Sequence, residues 1–156
     1  MVIDTHGIFE CIVIAPLGRL VDCKTTSIVI PAHDGQLGVW YNHMPMICKL
    51  GLGIMKVTGL ATQDDVVPVD TYLLIDGGFA MVTSNVVTVI AYDAISQHDI
   101  NPEKIERIIE RTQKKLPADV YTPQQRQHDL RKAAFMNELL EMQAVAKTEQ
   151  VLLNKA

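Results

Sequence analysis

Aromatic residues make up only 5% of this chain of 156 residues, and positive charge is scarce over most of its length. Residues 1–100 hold four Lys/Arg (Arg19, Lys24, Lys49 and Lys56) against ten Asp/Glu. No basic patch with interleaved aromatics occurs anywhere, so the footprint of a nucleic-acid binder is absent. No run approaches the ~20 apolar residues that a spanning helix needs. The first ten residues contain two acids and no Lys or Arg, so neither a signal nor a transit peptide is expected. The chain is therefore expected to work in the soluble compartment where it is made. Cysteine is sparse too: Cys11, Cys23 and Cys48 are odd in number, far apart and free of any C-x-x-C pair. Buried free thiols in a reducing compartment are the expectation. The five histidines (His6, His33, His43, His98 and His128) lack metal-ligand spacing, which argues against a metal centre.

Apolar residues are plentiful, at 48%, and their periodicity changes once along the chain. Over residues 1–95 they fall in short runs punctuated by Gly, Pro and Asn. Strands are predicted at 9–15, 26–30, 45–49, 53–58, 72–75, 79–83 and 86–92, with turns at Pro16-Leu17-Gly18, Asp34-Gly35, Asp76-Gly77-Gly78 and Ser84-Asn85. Evenly spaced short strands predict a β-sandwich or flattened barrel. In the last strand neither face is strongly polar, which predicts cover on both sides.

Beyond Asp99 the period becomes helical. Asn101 suits an N-cap and Pro102 the first helical position. Ile105, Ile108, Ile109, Thr112 and Leu116 follow on one stripe, giving a helix over about 102–116 that ends at Pro117. Thr122 and Gln125 form a capping box around Pro123, opening a second helix over about 123–153. Its expected apolar face is Leu130, Ala133, Ala134, Leu140, Ala144 and Val151. The fold class is thus α+β: a β-sandwich over residues 1–95, then a helical hairpin over 100–156. The hairpin has no core of its own, which makes it a natural two-state regulatory element.

No catalytic constellation emerges. His43 has no Ser, Cys or Asp partner in triad order, and packing in the Asn42–Pro45 corner is its plainer role. Gly51-Leu52-Gly53 fails as a dinucleotide loop, since Lys56 stands where a third glycine belongs and no helix pattern follows. Asp76-Gly77-Gly78 reads as a tight hairpin, and Asp64-Asp65 as a solvated loop. The segment from Pro31 to Pro45 carries more information. Its two polar corners flank Leu37, Gly38, Val39, Trp40 and Tyr41, a projecting apolar element suited to contact rather than chemistry.

That segment resembles the "PA-x-DGELGILP-x-HAP" signature of the epsilon subunit of F-type ATP synthases, the equivalent of the mitochondrial delta subunit. Leu50-Gly51 with Gly53, Asp76-Gly77-Gly78-Phe79, Val86–Ala91 and Asp99-Ile100-Asn101 are similar to further family motifs. The resemblance implies a non-catalytic rotor subunit of the central stalk, coupling ion-driven c-ring rotation to ATP synthesis. It implies as partners the gamma subunit, the c-subunit ring and, transiently through the hairpin, the alpha/beta subunits, with membrane association only through the complex. The implied location is the cytoplasmic face of a bacterial plasma membrane or the stromal face of a thylakoid. Asp34, Gln36, Val39, Trp40, Tyr41, His43, Met44 and Pro45 are the implied interface positions. Gln36 replaces the family's acid, while Trp40, Tyr41 and Met44 replace Leu, Pro and Ala, making the surface bulkier and less charged.

Some epsilon subunits bind regulatory ATP through an "I/L-D-x-x-R-A" motif. Here its positions read Ile100, Asn101 and Lys104, with Arg111 further along. Loss of the carboxylate and of the planar guanidinium fork predicts weak or no ATP binding, and no other cofactor is expected. Residues 117–156 carry five basic and five acidic side chains, without the basic face of inhibitory relatives, so weak inhibition of hydrolysis is expected. The competing reading is a free-standing sandwich module with a helical oligomerisation tail.

Overall fold

A computed structural model describes residues 7–59, 70–114, 117 and 120–153, with side chains to residue 145. Asp64-Asp65 and Leu116 lie outside the described residues. The chain divides into two units, Met1–Ser96 and Gln97–Ala156.

The first unit is one eight-stranded sheet: β1 (Phe9–Ala15), β2 (Gly18–Thr25), β3 (Ser27–Ala32), β4 (Gly35–Trp40), β5 (Met46–Val57), β6 (Thr71–Thr83), β7 (Val86–Ala91) and β8 (Ala94–Ser96). The order is β2-β1-β7-β6-β5-β3-β4, with β8 on β6. All pairings are antiparallel except β1 with β7, which is parallel. One core is shared by strands far apart in this order, including Cys11 and Val13 of β1, Ile28 and Ile30 of β3 and Val39 of β4. The sheet must therefore fold over on itself, giving the sandwich that the strand spacing predicts.

The corner can be located from side-chain parity. In β6 the inward residues are Leu73 and Ile75 before the corner, but Ala80 and Val82 after it. In β5, Leu50 points inward before it, and Met55 and Val57 after it. Both strands change face where Leu50 pairs with Gly78 and Leu52 with Asp76. Gly77 and Gly78 have φ of 73° and 124°, and a Cβ at Gly78 would lie 2.1 Å from the Ile90 carbonyl oxygen. Only glycine accommodates that backbone and that approach. Asp76-Gly77-Gly78 is thus a mid-strand bend of the kind that turns a sandwich corner. The expectation of a hairpin there was wrong: two predicted strands are the halves of β6, and two others are the halves of β5.

In the second unit, a 3₁₀ turn (Gln97–Asp99) leads into α1 (Pro102–Gln113) and α2 (Pro123–Leu153). The Asn101 side chain accepts from the Glu103 amide at 2.9 Å, and Pro102 takes the first turn. The α2 capping box is reciprocal: the Thr122 amide donates to Gln125 Oε1 at 2.9 Å, and the Gln125 amide to Thr122 Oγ1 at 3.2 Å. The buried face of α2 differs from the expected stripe. Ala133 is buried, but so are Met136 and Leu139, whereas Leu130, Ala134 and Ala144 are exposed and Leu140 is half-buried. Apolar residues from Leu130 to Met142 surround this helix, so its periodicity is too weak to single out one face. The side chain of Val151 is outside the described region.

Candidate functional site

Trp40 ends β4 at the sheet edge, where it is 61% exposed, and Tyr41 and Met44 beyond it are exposed as well. Gln36, Asp34 and Pro45 are also exposed, and His43 is half-buried. Val39 is the exception. At 1% exposure it belongs to the core, because residues on β4 alternate between faces and Trp40 points outward. Leu37–Trp40 accordingly belongs to β4 (Gly35–Trp40), the edge strand paired with β3 from Ser27 opposite Trp40 to Ala32 opposite Gly35, rather than to a projection.

The corner after β4 is held by two asparagines. Asn42, at φ 58°, donates its amide to Asn85 Oδ1 at 2.7 Å, and Asn85 Nδ2 donates to Asn42 Oδ1 at 3.2 Å. Ser84 and Asn85, at φ 48° and 60°, form the tight turn between β6 and β7 that such angles favour. The clasp brings the Asn42–Pro45 corner to the end of β6 and β7. A ring nitrogen of His43, Nδ1, lies 2.9 Å from the Met44 carbonyl, so this side chain is engaged within the corner.

A second surface begins there. On the outward side of β5, β6, β7 and β1, Ile47 pairs with Met81, Met81 with Thr88, and Thr88 with Ile12. The next row is Lys49, Phe79, Ile90, Ile14 and Arg19. Ile47 is 71% and Ile90 56% exposed, and Phe79 and Met81 are exposed too. Phe79 meets Tyr92 edge to face, with centroids 6.2 Å apart. Arg19, Asp22, Lys49 and Glu10 rim this apolar centre. An apolar centre inside a charged rim is the anatomy of a protein interface. The lack of a polar face on the strand 86–92 was its one trace in the sequence. Among the described residues, one side of that strand is buried, at Val87, Val89 and Ala91, while Ile90 and Tyr92 on the other are exposed.

The degenerate nucleotide-motif residues do not converge. Ile100 is buried, Asn101 is committed to capping, Lys104 is exposed, and the Arg111 guanidinium lies 5.1 Å from the ring centroid of Tyr121. The neighbouring surface depression on α1 is lined by Glu103, Glu106, Arg107 and Glu110, a charge balance that repels polyphosphate. Nothing in the sequence pattern singles out Tyr121. It is 2% exposed, Arg126 also stacks over its ring at 5.6 Å, and its hydroxyl donates to Asp129 at 2.7 Å. Burial pushes its phenol above the ordinary range, and the Asp129 bond adds to this. The folded chain therefore keeps a proton that the unfolded chain releases near pH 10. Hairpin stability should be constant up to that pH and fall above it, read as an alkaline loss of helical circular dichroism. Tyr121→Phe should shift that loss to higher pH.

Among the cysteines, Cys11 is buried, and burial followed by the charge of nearby Cys23 pushes it up to about 12. This matches the expected inert thiol. Cys23 departs from it, lying exposed on the edge strand β2, and Cys48 is only half-buried. Among the described residues no three His, Cys, Asp or Glu side chains are grouped to hold a metal, and no helix is long and apolar enough to cross a membrane.

Residues 8–97, the whole described sandwich, match the model of the ATP synthase delta/epsilon chain β-sandwich domain. The chain belongs to this family. It is 35% identical over 87 residues to the chloroplast ATP synthase epsilon chain of Chlamydomonas reinhardtii, covering 56% of this chain and 61% of the relative. The chain thus spans about three-fifths of that relative's length. To the ATP synthase epsilon chain of Lactiplantibacillus plantarum it is 26% identical, covering 67% of this chain and 70% of the relative. Its fold is similar to a chain of the Euglena gracilis mitochondrial ATP synthase, solved as OSCP/F1/c-ring, with a TM-score of 0.62 at 20% identity over 83% of this chain and 79% of that one. The delta/epsilon family match ends at the boundary between the two units, so the hairpin stands outside it.

Proposed function

We propose that this chain is the non-catalytic, epsilon-type rotor subunit of an F-type ATP synthase, coupling ion-driven rotation of the c ring to ATP synthesis. The observation that carries the reading is the open apolar face centred on Phe79 and Ile90, in a domain of the delta/epsilon family. In this reading the gamma subunit covers that face. The clasped corner bearing Trp40, Tyr41 and Met44 rests on the c-subunit ring, and the hairpin touches the alpha/beta subunits transiently. The chain reaches the membrane only through the complex, on the cytoplasmic face of a bacterial membrane or the stromal face of a thylakoid.

Regulation by ATP plays little part, because the motif positions are dispersed and beside carboxylates. Titration calorimetry at cellular ATP concentrations should give no saturable heat; a clear isotherm would refute this element. The assembly itself is tested by co-expression with alpha, beta and gamma subunits. The expected result is one complex containing all four chains. Elution of this chain alone, as a monomer or self-oligomer, would favour the free-standing module instead.

A further inference from the structure

Gly38 sits mid-strand in β4, and its φ is outside the left-handed region that favours glycine. Any residue could adopt that backbone, and glycine there weakens a strand by leaving nothing to pack. What a larger residue would meet there is a side chain, which would have to move. A Cβ at Gly38 would lie 2.5, 2.8 and 3.3 Å from its three nearest heavy atoms, all carbons of the Trp40 indole. Positions 38 and 40 share the outward face of the strand, so the indole lies back over the bare Cα two residues before it. The six-membered ring of the indole is thereby engaged at Gly38, while Trp40 as a whole stays 61% exposed.

We propose that Gly38 is the positioning residue for Trp40, seating the indole against the strand as a preformed contact at the edge that faces the c ring. This rests on the rotor-subunit reading above. An exposed aromatic held in one orientation loses less conformational freedom on docking than a free one, and such anchors dominate interface energetics. Gly38 touches no partner; it acts through Trp40. The family signature pairs this glycine with leucine, so the indole seat is a property of this chain.

Trp40 is the one tryptophan, which makes the idea directly readable. Ring current from a seated indole should move the Gly38 α-proton resonances upfield in the full-length chain, and Trp40→Leu should return them to ordinary positions. Gly38→Ala should keep the fold, shift Trp40 emission and raise its access to acrylamide. Binding to ATP synthase stripped of this subunit should weaken roughly three- to tenfold. In a Trp40→Leu background the same Gly38→Ala change should leave binding unaltered, the coupling expected of residues acting as one unit. Equal losses in both backgrounds, ordinary Gly38 resonances in the parent chain, or a changed indole signal with unchanged binding would each overturn the proposal and leave the rotor assignment standing. Failure of the parent chain to bind the stripped enzyme would overturn both.

Discussion

Ile90→Lys is expected to lower affinity for the gamma subunit by about a hundredfold while barely changing the stability of the free chain. The side chain points outward from β7 and is 56% exposed, so the unbound domain has no core contact to lose. Surface changes of this kind usually stay within about 0.5 kcal/mol. In the complex the ammonium would enter the centre of an apolar patch between Phe79 and Ile14, its partners across β6 and β1. Leaving a charge buried and unpaired costs about 3–5 kcal/mol, and part of that is relieved by snorkelling towards the rim. Surface plasmon resonance against a gamma-containing complex measures the loss, and thermal denaturation of the free chain provides the control. Unchanged affinity would mean that gamma does not cover this face.

Tyr121→Ala should produce the largest stability effect, confined to the hairpin. Arg111 from α1 and Arg126 from α2 both lie over the ring, and its hydroxyl is bonded to Asp129. One side chain therefore ties the end of the first helix to the start of the second. Removing a buried aromatic costs about 3–5 kcal/mol, and both guanidiniums lose their stacking partner. For a unit this small, each kcal/mol moves the midpoint by about 4–8 °C, so the helical transition should fall by more than about 10 °C. Far-ultraviolet circular dichroism follows the helices, and Trp40 fluorescence follows the sandwich. The helical transition should drop while the fluorescence transition stays in place. A common shift of both would show that the two units unfold as one.

The sequence made regular features legible and hid those that depend on distant neighbours. β1 and both helix starts follow from alternation and capping chemistry, which are local. β2 was missed because its Gly18–Lys24 stretch is an exposed, charged edge with no apolar alternation. The long strands β5 and β6 looked like four short ones, since a glycine bend inside a strand has the composition of a turn. Val39 was grouped with its exposed neighbours although strand alternation places it inside. The sheet face carrying Phe79 and Ile90 was only half visible. Apolar residues on both sides of a strand signal cover, but composition does not separate cover by this chain from cover by another. Tyr121 lay in a segment whose polar neighbours suggested a loop. Two arginines, one on each helix, lie over its ring, a juxtaposition that no local pattern in the sequence marks.

Occupation of the outer sheet face in the assembled enzyme is what the rotor geometry requires above all. A Phe79→Cys variant, in a Cys23→Ser and Cys48→Ser background, can be treated with a maleimide both as the free chain and within the complete ATP synthase. The free chain should label rapidly, because Phe79 is exposed and Cys11 is buried. In the assembled enzyme the label should be excluded almost completely. Equal labelling in both states would contradict a gamma-covered face and, with it, the rotor geometry proposed for this chain.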